Sequence, residues 1–158
     1  MSYQPKNFDY LLGTPGFGDT LLKNHFTLYQ GYVTNTNKLS DALTEMARAD
    51  KMGTPEYAEL KRRFGWEWNG MRLHELYFGN MKNGEAAFDP HLSIAKKITA
   101  QFENYAYWEK DFKGTGTARG IGWTILYHDP SQDRLFNAWV NEHDVGHLAG
   151  CQPLLVLD

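Results

Sequence analysis

A single cysteine, Cys151, stands in the whole chain. No disulfide can therefore close within it, and a reducing compartment is the natural setting. Beside Gln152 and Pro153, that cysteine is expected as a packed core residue rather than a reactive thiol. Long apolar runs are also missing. No stretch approaches the roughly 18 consecutive apolar residues that a bilayer span needs, and residues 1–10 are polar, without the apolar centre of a secretion signal. The protein is thus expected in the cytoplasm, with no membrane partner. Positive charge is scarce, since 16 Lys and Arg against 19 Asp and Glu leave a net charge of −3, and this argues against a nucleic-acid partner. Several chemical signatures are absent: there is no Cys-x-x-Cys, no His-Glu-x-x-His, no phosphate-cradling glycine loop and no nucleophile elbow. Gly114, Gly116, Gly120 and Gly122 precede a predicted strand, whereas a dinucleotide fingerprint follows one.

What remains is a chain rich in hydrophobic residues (42%) and aromatics (15%), enough to build a folded core from 158 residues. After the turn-rich Leu11–Gly18 stretch, Asp19 or Thr20 starts a helix running to about Leu43, with apolar residues three and four apart. Thr54 and Pro55 open a second helix, and the segment from Trp66 to Met81 also reads as helical. Lys82-Asn83-Gly84-Glu85 is a polar connection that divides the chain into residues 1–84 and 85–158. The second part begins with helical spacing from Ile94 to Trp108. Trp123–Tyr127 and Leu135–Val140 then read as a hairpin around His128–Asp133. Pro153–Leu157 is a short apolar run with the character of a buried strand. Helices first and strands later give an α+β fold.

Six histidines are present: His25, His74, His91, His128, His143 and His147. His91 and His128 lie in polar turns and read as surface residues. His25 and Tyr32 are seven apart in the first helix, so at about 100° per residue they share a face. His74 sits among Trp66, Trp68, Leu73, Tyr77 and Phe78. Asp158 follows an apolar run, where a carboxylate calls for a partner unless it meets water. Singly, each histidine has the bland reading of a hydrogen-bonded core residue, and Asp158 that of a solvated terminus. Together, two imidazoles and a carboxylate are a workable donor set for a first-row transition metal.

Four stretches taken in order resemble the iron/manganese superoxide dismutase family, most closely its archaeal branch. They are His25-Phe-Thr-Leu-Tyr-Gln-Gly-Tyr32 and on to Asn37, Trp68-Asn-Gly-Met-Arg-Leu-His74 and on to Phe78, Gly120-Ile-Gly-Trp123 and on to Tyr127, and His143-Asp-Val-Gly-His147 and on to Asp158. The resemblance spans nearly the whole chain. It implies one iron or manganese ion per chain, with His25, His74 and Asp158 as ligands, superoxide as substrate, and dioxygen and hydrogen peroxide as products. It further implies that Tyr32 gates the substrate channel, that His147 hydrogen-bonds the solvent at the metal, and that Trp123 walls the site, with Tyr77 and Phe78 keeping it dry. Gly70 falls where the family often carries metal-correlated residues. The implied fold is an N-terminal helical hairpin followed by a helix and a three-stranded antiparallel sheet. The implied assembly is a homo-oligomer, dimer or tetramer.

The pattern departs from the family in two places. The family's first ligand lies eight residues before the gate tyrosine, a position held here by Asn24. That spacing keeps one face only if the helix carries an extra residue, as in a π-bulge. Without the extra residue the helix is regular and His25 takes the inner face, so His25 is favoured over Asn24. The second departure is that the sequence stops at the third ligand position, ahead of the family's Trp-Glu-His segment and closing C-terminal helices. Three readings follow: a superoxide dismutase, a catalytically impaired subunit of the same fold that binds a partner across its C-terminal face, or a three-ligand non-haem iron site.

Overall fold

The computed structural model describes residues 2–84 and 88–158. Glu85, expected at the end of the polar connection, lies outside them. The chain forms two compact units, Met1–Asn83 and Gly84–Asp158. Among the described residues no helix is long and apolar enough to cross a membrane.

The first unit is a helical hairpin of α1 (Asp19–Arg48) and α2 (Pro55–Asn80), preceded by a short 3-10 turn at Asp9–Leu11. Leu22, Phe26, Tyr29, Val33 and Thr36 recur every three or four residues along α1, and all are buried. The helix runs past the expected end near Leu43. Residues 44–48 contain neither glycine nor proline, and Met46 and Ala47 continue the inner face half-buried. It stops where Asp50 enters the left-handed region at φ 52°. Thr54 then caps α2, its hydroxyl accepting the Tyr57 N–H at 3.2 Å, and Pro55 occupies the first turn, where no N–H is needed. The two helical segments read from the sequence are one continuous helix.

Phe78, fully buried, is the hub of this unit. Its ring lies 4.9 Å from that of Phe8 and 5.0 Å from that of Phe26, tilted or edge-on, the arrangement aromatic quadrupoles prefer. The N-terminal segment is strapped across the hairpin. Tyr3 and Asn37 exchange hydrogen bonds at 2.8 and 2.9 Å, and the Lys6 N–H donates to the Tyr29 hydroxyl at 3.0 Å. The Tyr29 hydroxyl donates in turn to the buried Glu75 carboxylate at 3.1 Å, which also meets Lys6 Nζ at 3.1 Å and Arg72. A buried carboxylate without such partners would be costly.

The second unit holds α3 (Ser93–Phe102), α4 (Tyr105–Gly116) and a sheet of β1 (Gly122–Asp129), β2 (Arg134–Asn141) and β3 (Gln152–Leu157). The single helix expected here is divided in two. Glu103 takes φ 67°, and Asn104 starts α4 by accepting the Tyr107 N–H at 2.8 Å. The sheet is antiparallel in the order β2-β1-β3. As the central strand, β1 is buried from Trp123 to Tyr127. Leu126 joins Ile98, Trp108, Phe112 and Leu135 in the core. At the hairpin turn His128 Nε2 meets Asp133 Oδ1 at 2.9 Å, and Lys97 pairs with the same carboxylate. The expectation of a buried third strand needs correction. Only Val156 of β3 is buried, while Leu154 and Leu157 are 37% and 41% exposed, because β3 lies at the end of the strand order. Cys151 is likewise half-buried rather than in the core. The architecture is α+β, a helical hairpin followed by helices and a three-stranded antiparallel sheet.

Truncating the hub tests this packing. Phe78→Ala should cost about 3–5 kcal/mol, and Tyr10→Ala, at a 55% exposed ring, well under that, as read from urea unfolding monitored by circular dichroism.

Candidate metal centre

In the first unit α1 and α2 bring His25 and His74 together. Their ring centroids are 4.9 Å apart and the planes perpendicular. His25 also lies edge-on to Phe78 at 5.0 Å and 5.5 Å from Tyr77. The first helix is α-helical throughout, with no π turn, and within it Asn24 is exposed while His25 is half-buried. That is the register expected when the extra residue is missing. His74 is 1% exposed, and its Nδ1 lies 2.6 Å from the Gly70 carbonyl oxygen. A carbonyl only accepts, so the neutral ring carries its proton on Nδ1 and its lone pair on Nε2. This is how histidines that bind metals are commonly oriented, by a hydrogen bond from the second nitrogen. Tyr32 stacks on His74 at 5.2 Å and 27°.

The second unit arranges its functional candidates around β1. Trp123 is 1% exposed, and its indole N–H donates to His143 Nδ1 at 3.0 Å. His143 therefore presents a lone pair at Nδ1. His147 Nε2 faces the His143 carbonyl at 2.9 Å and must be the protonated nitrogen. Its Nδ1 meets the Tyr127 hydroxyl at 2.7 Å. Both ring nitrogens of His147 are thus engaged within this unit. Burial, and then the neighbouring Cys151, pushes the Tyr127 hydroxyl up to about 12. Tyr127 accordingly stays neutral and acts as the donor to His147. Asp158 follows Leu157, which pairs with Thr124, so Asp158 comes level with Trp123 at the end of β3, where it is exposed.

Sequence reasoning did not single out Tyr127, nor His143 as the acceptor for Trp123. The signal for Tyr127 was available, because a tyrosine inside a continuous apolar strand must find a hydrogen-bond partner for its hydroxyl. The identity of that partner depends on the loop between β2 and β3, whose conformation involves a glycine at positive φ, Gly146.

Comparison with known proteins identifies the family. The family model for the C-terminal domain of iron/manganese superoxide dismutases matches residues 90–158. Superoxide dismutase (Mn) 2 of Haloferax volcanii is 32% identical over 161 aligned positions, covering all of this chain and 79% of that protein. Superoxide dismutase (Fe) of Aquifex aeolicus is 31% identical, covering 98% of this chain and 74% of its own length. Superoxide dismutase (Fe) of Cupriavidus metallidurans is 32% identical over 90% of this chain. With likeness of this extent running along both units, the chain belongs to the iron/manganese superoxide dismutase family.

The burial of Tyr127 has a consequence at high pH. An unfolded tyrosine ionises near 10, whereas folded Tyr127 keeps its proton to about 12. From about pH 10 upward the folded state binds more protons than the unfolded one, so stability falls as pH rises through that window. Tyr127→Phe should lessen the fall and remove one late step from the ultraviolet phenolate titration. Denaturation midpoints measured below and above about pH 10 provide the check.

Proposed function

We propose that this chain is a superoxide dismutase acting in the cytoplasm, with one iron or manganese ion held by His25, His74 and Asp158. The observation that carries the reading is the perpendicular pair of imidazoles, half-buried His25 and buried His74, with His74 oriented by the Gly70 carbonyl. Family membership and the activities for which the relatives are named support it. The donor set fits as well. Neutral imidazole nitrogens and a carboxylate oxygen suit first-row divalent and trivalent ions, whereas thiolate, the ligand of softer metals, is absent from it.

When bound, such an ion supplies the alternation between divalent and trivalent states by which superoxide is disproportionated to dioxygen and hydrogen peroxide. The residues of the chain supply the surroundings. His74 is fixed before any ion arrives, because its tautomer and ring plane are set by its own helix. Tyr32, half-buried beside it, offers a hydroxyl that can both donate and accept a hydrogen bond. His147 is held in orientation by the Tyr127 hydroxyl and the His143 carbonyl. Phe78 and Tyr77 limit water around the imidazoles. Residues 1–84 act as the helical domain that carries the histidines, and residues 85–158 as the domain that carries Asp158. The exposed Leu154 and Leu157 support self-association as a dimer or tetramer.

Metal analysis and a superoxide assay on the purified chain test the proposal. Iron or manganese should be found at about one ion per chain, as one complete three-ligand site implies, together with dismutase activity. His74→Ala should abolish metal retention, and His25→Ala should weaken it more than Asn24→Ala. Full metal content in His74→Ala would remove the ligand assignment. A reversed order for residues 24 and 25 would overturn the choice of His25.

A further inference from the structure

Gly70 lies in the interior of α2 and is buried, a place where glycine weakens a helix relative to alanine. The other glycines of the hairpin, Gly31, Gly65 and Gly79, could each take a Cβ into open space. Gly70 could not. A Cβ there would lie 2.6 Å from Tyr32 Cδ1, 2.8 Å from Cε1 and 3.0 Å from Cγ. Real Cβ atoms do not approach a ring that closely, so the Tyr32 ring occupies the space a side chain would fill. The same ring stacks on His74 at 5.2 Å, and the Gly70 carbonyl receives His74 Nδ1 at 2.6 Å. One residue therefore fixes two others: its missing side chain seats Tyr32, and its carbonyl orients His74.

We infer that Gly70 is a positioning residue that seats the Tyr32 ring on His74, so that the bulk at position 70 decides where the Tyr32 hydroxyl stands relative to the two imidazoles. Its bearing on catalysis rests on the reading of His74 as a ligand, but the seat itself does not. The ring has little freedom to answer added bulk. His74 lies against one part of it, and the Tyr32 Cβ is fixed on α1, so a methyl group at residue 70 must displace the ring from its seat. Nothing comparable restrains the space over Gly65, although it lies on the same helix and gains the same helix propensity on conversion to alanine.

The test is a set of variants of the full chain: Gly70→Ala, Gly65→Ala, Tyr32→Ala, Tyr32→Phe and the pairs that combine Gly70→Ala with each Tyr32 change. Thermal midpoints give one readout. Gly65→Ala should leave the midpoint unchanged or raised, and Gly70→Ala should lower it. That loss should be at least halved in the Tyr32→Ala background, where the seat is vacant, and should persist in Tyr32→Phe, where the ring remains. Glycine α-proton resonances of the full chain, with metal removed by a chelator, give a second readout that a merely structural effect would not move. Gly70 should be shifted upfield by the Tyr32 ring, the shift should survive Tyr32→Phe, and it should vanish in Tyr32→Ala. Should Gly70→Ala fail to fold, the combination with Tyr32→Ala should restore folding.

Equal losses from Gly70→Ala in the presence and absence of the Tyr32 ring would overturn the inference. So would a Gly70→Ala variant as stable as Gly65→Ala, a Gly70 resonance indifferent to Tyr32→Ala, or a double variant that still does not fold. Metal content of His74→Ala decides the ligand assignment separately, so the two ideas fail by different measurements.

Discussion

The hydrogen bond from His74 Nδ1 to the Gly70 carbonyl is the constraint around which the helical unit is organised. A buried imidazole has two polar nitrogens and little water to satisfy them. Directing one of them at a carbonyl one turn earlier on its own helix settles the ring plane and the tautomer together. Once that plane is fixed, His25 can only approach edge-on and Tyr32 can only lie nearly flat. Phe78 then fills the space beneath His25 and passes the contact on to Phe8 and Phe26. The rings around His74 and the core rings are thus one packed layer.

The acidic residues inside the same hairpin follow a related logic. Glu67 is buried yet meets Arg63 at 2.7 Å and accepts the Asn35 amide at 3.2 Å. Glu75, adjacent in sequence to His74, holds Lys6, Arg72 and the Tyr29 hydroxyl. Each carboxylate contributes little net stability as an ion pair, because desolvation offsets most of the attraction. Its effect is on specificity: a slipped register between α1 and α2 would leave Glu67 or Glu75 buried with a wrong neighbour. The N-terminal strap is fastened through Glu75 for the same reason, since Lys6 is one of the groups that satisfies it.

Much of this was legible in the residues. The three-to-four spacing from Leu22 to Val33 marked the inner face of α1, and the missing extra residue relative to the family placed His25 rather than Asn24 toward it. Thr54-Pro55 announced the start of α2, and the hairpin around Asp133 was visible in the alternation of strand and turn residues. The features that were not legible depend on partners distant in sequence. The break at Glu103 and Asn104 is a left-handed residue followed by a cap, embedded in spacing that also suits one long helix. The exposure of Leu154 and Leu157 follows from the position of β3 in the strand order, which an apolar run alone does not reveal. The crowding over Gly70 needs Tyr32, thirty-eight positions away, and glycine carries no pattern of its own from which a ring could be inferred.

Hydrogen bonds also separate the histidines by the work they can do. His74 gives one nitrogen to a carbonyl and keeps the lone pair of the other directed along a fixed line, the condition for a ligand. His147 donates from Nε2 to a carbonyl and accepts at Nδ1 from a hydroxyl, so both of its nitrogens are held within its own unit. Burial keeps that hydroxyl protonated across the whole neutral range, which makes it a steady donor and holds the His147 lone pair in place. His143, accepting from Trp123, fixes the indole. Three imidazoles of one residue type therefore differ in orientation because each faces a different fixed group, a carbonyl on its own helix for His74, a carbonyl and a phenol for His147, and an indole for His143.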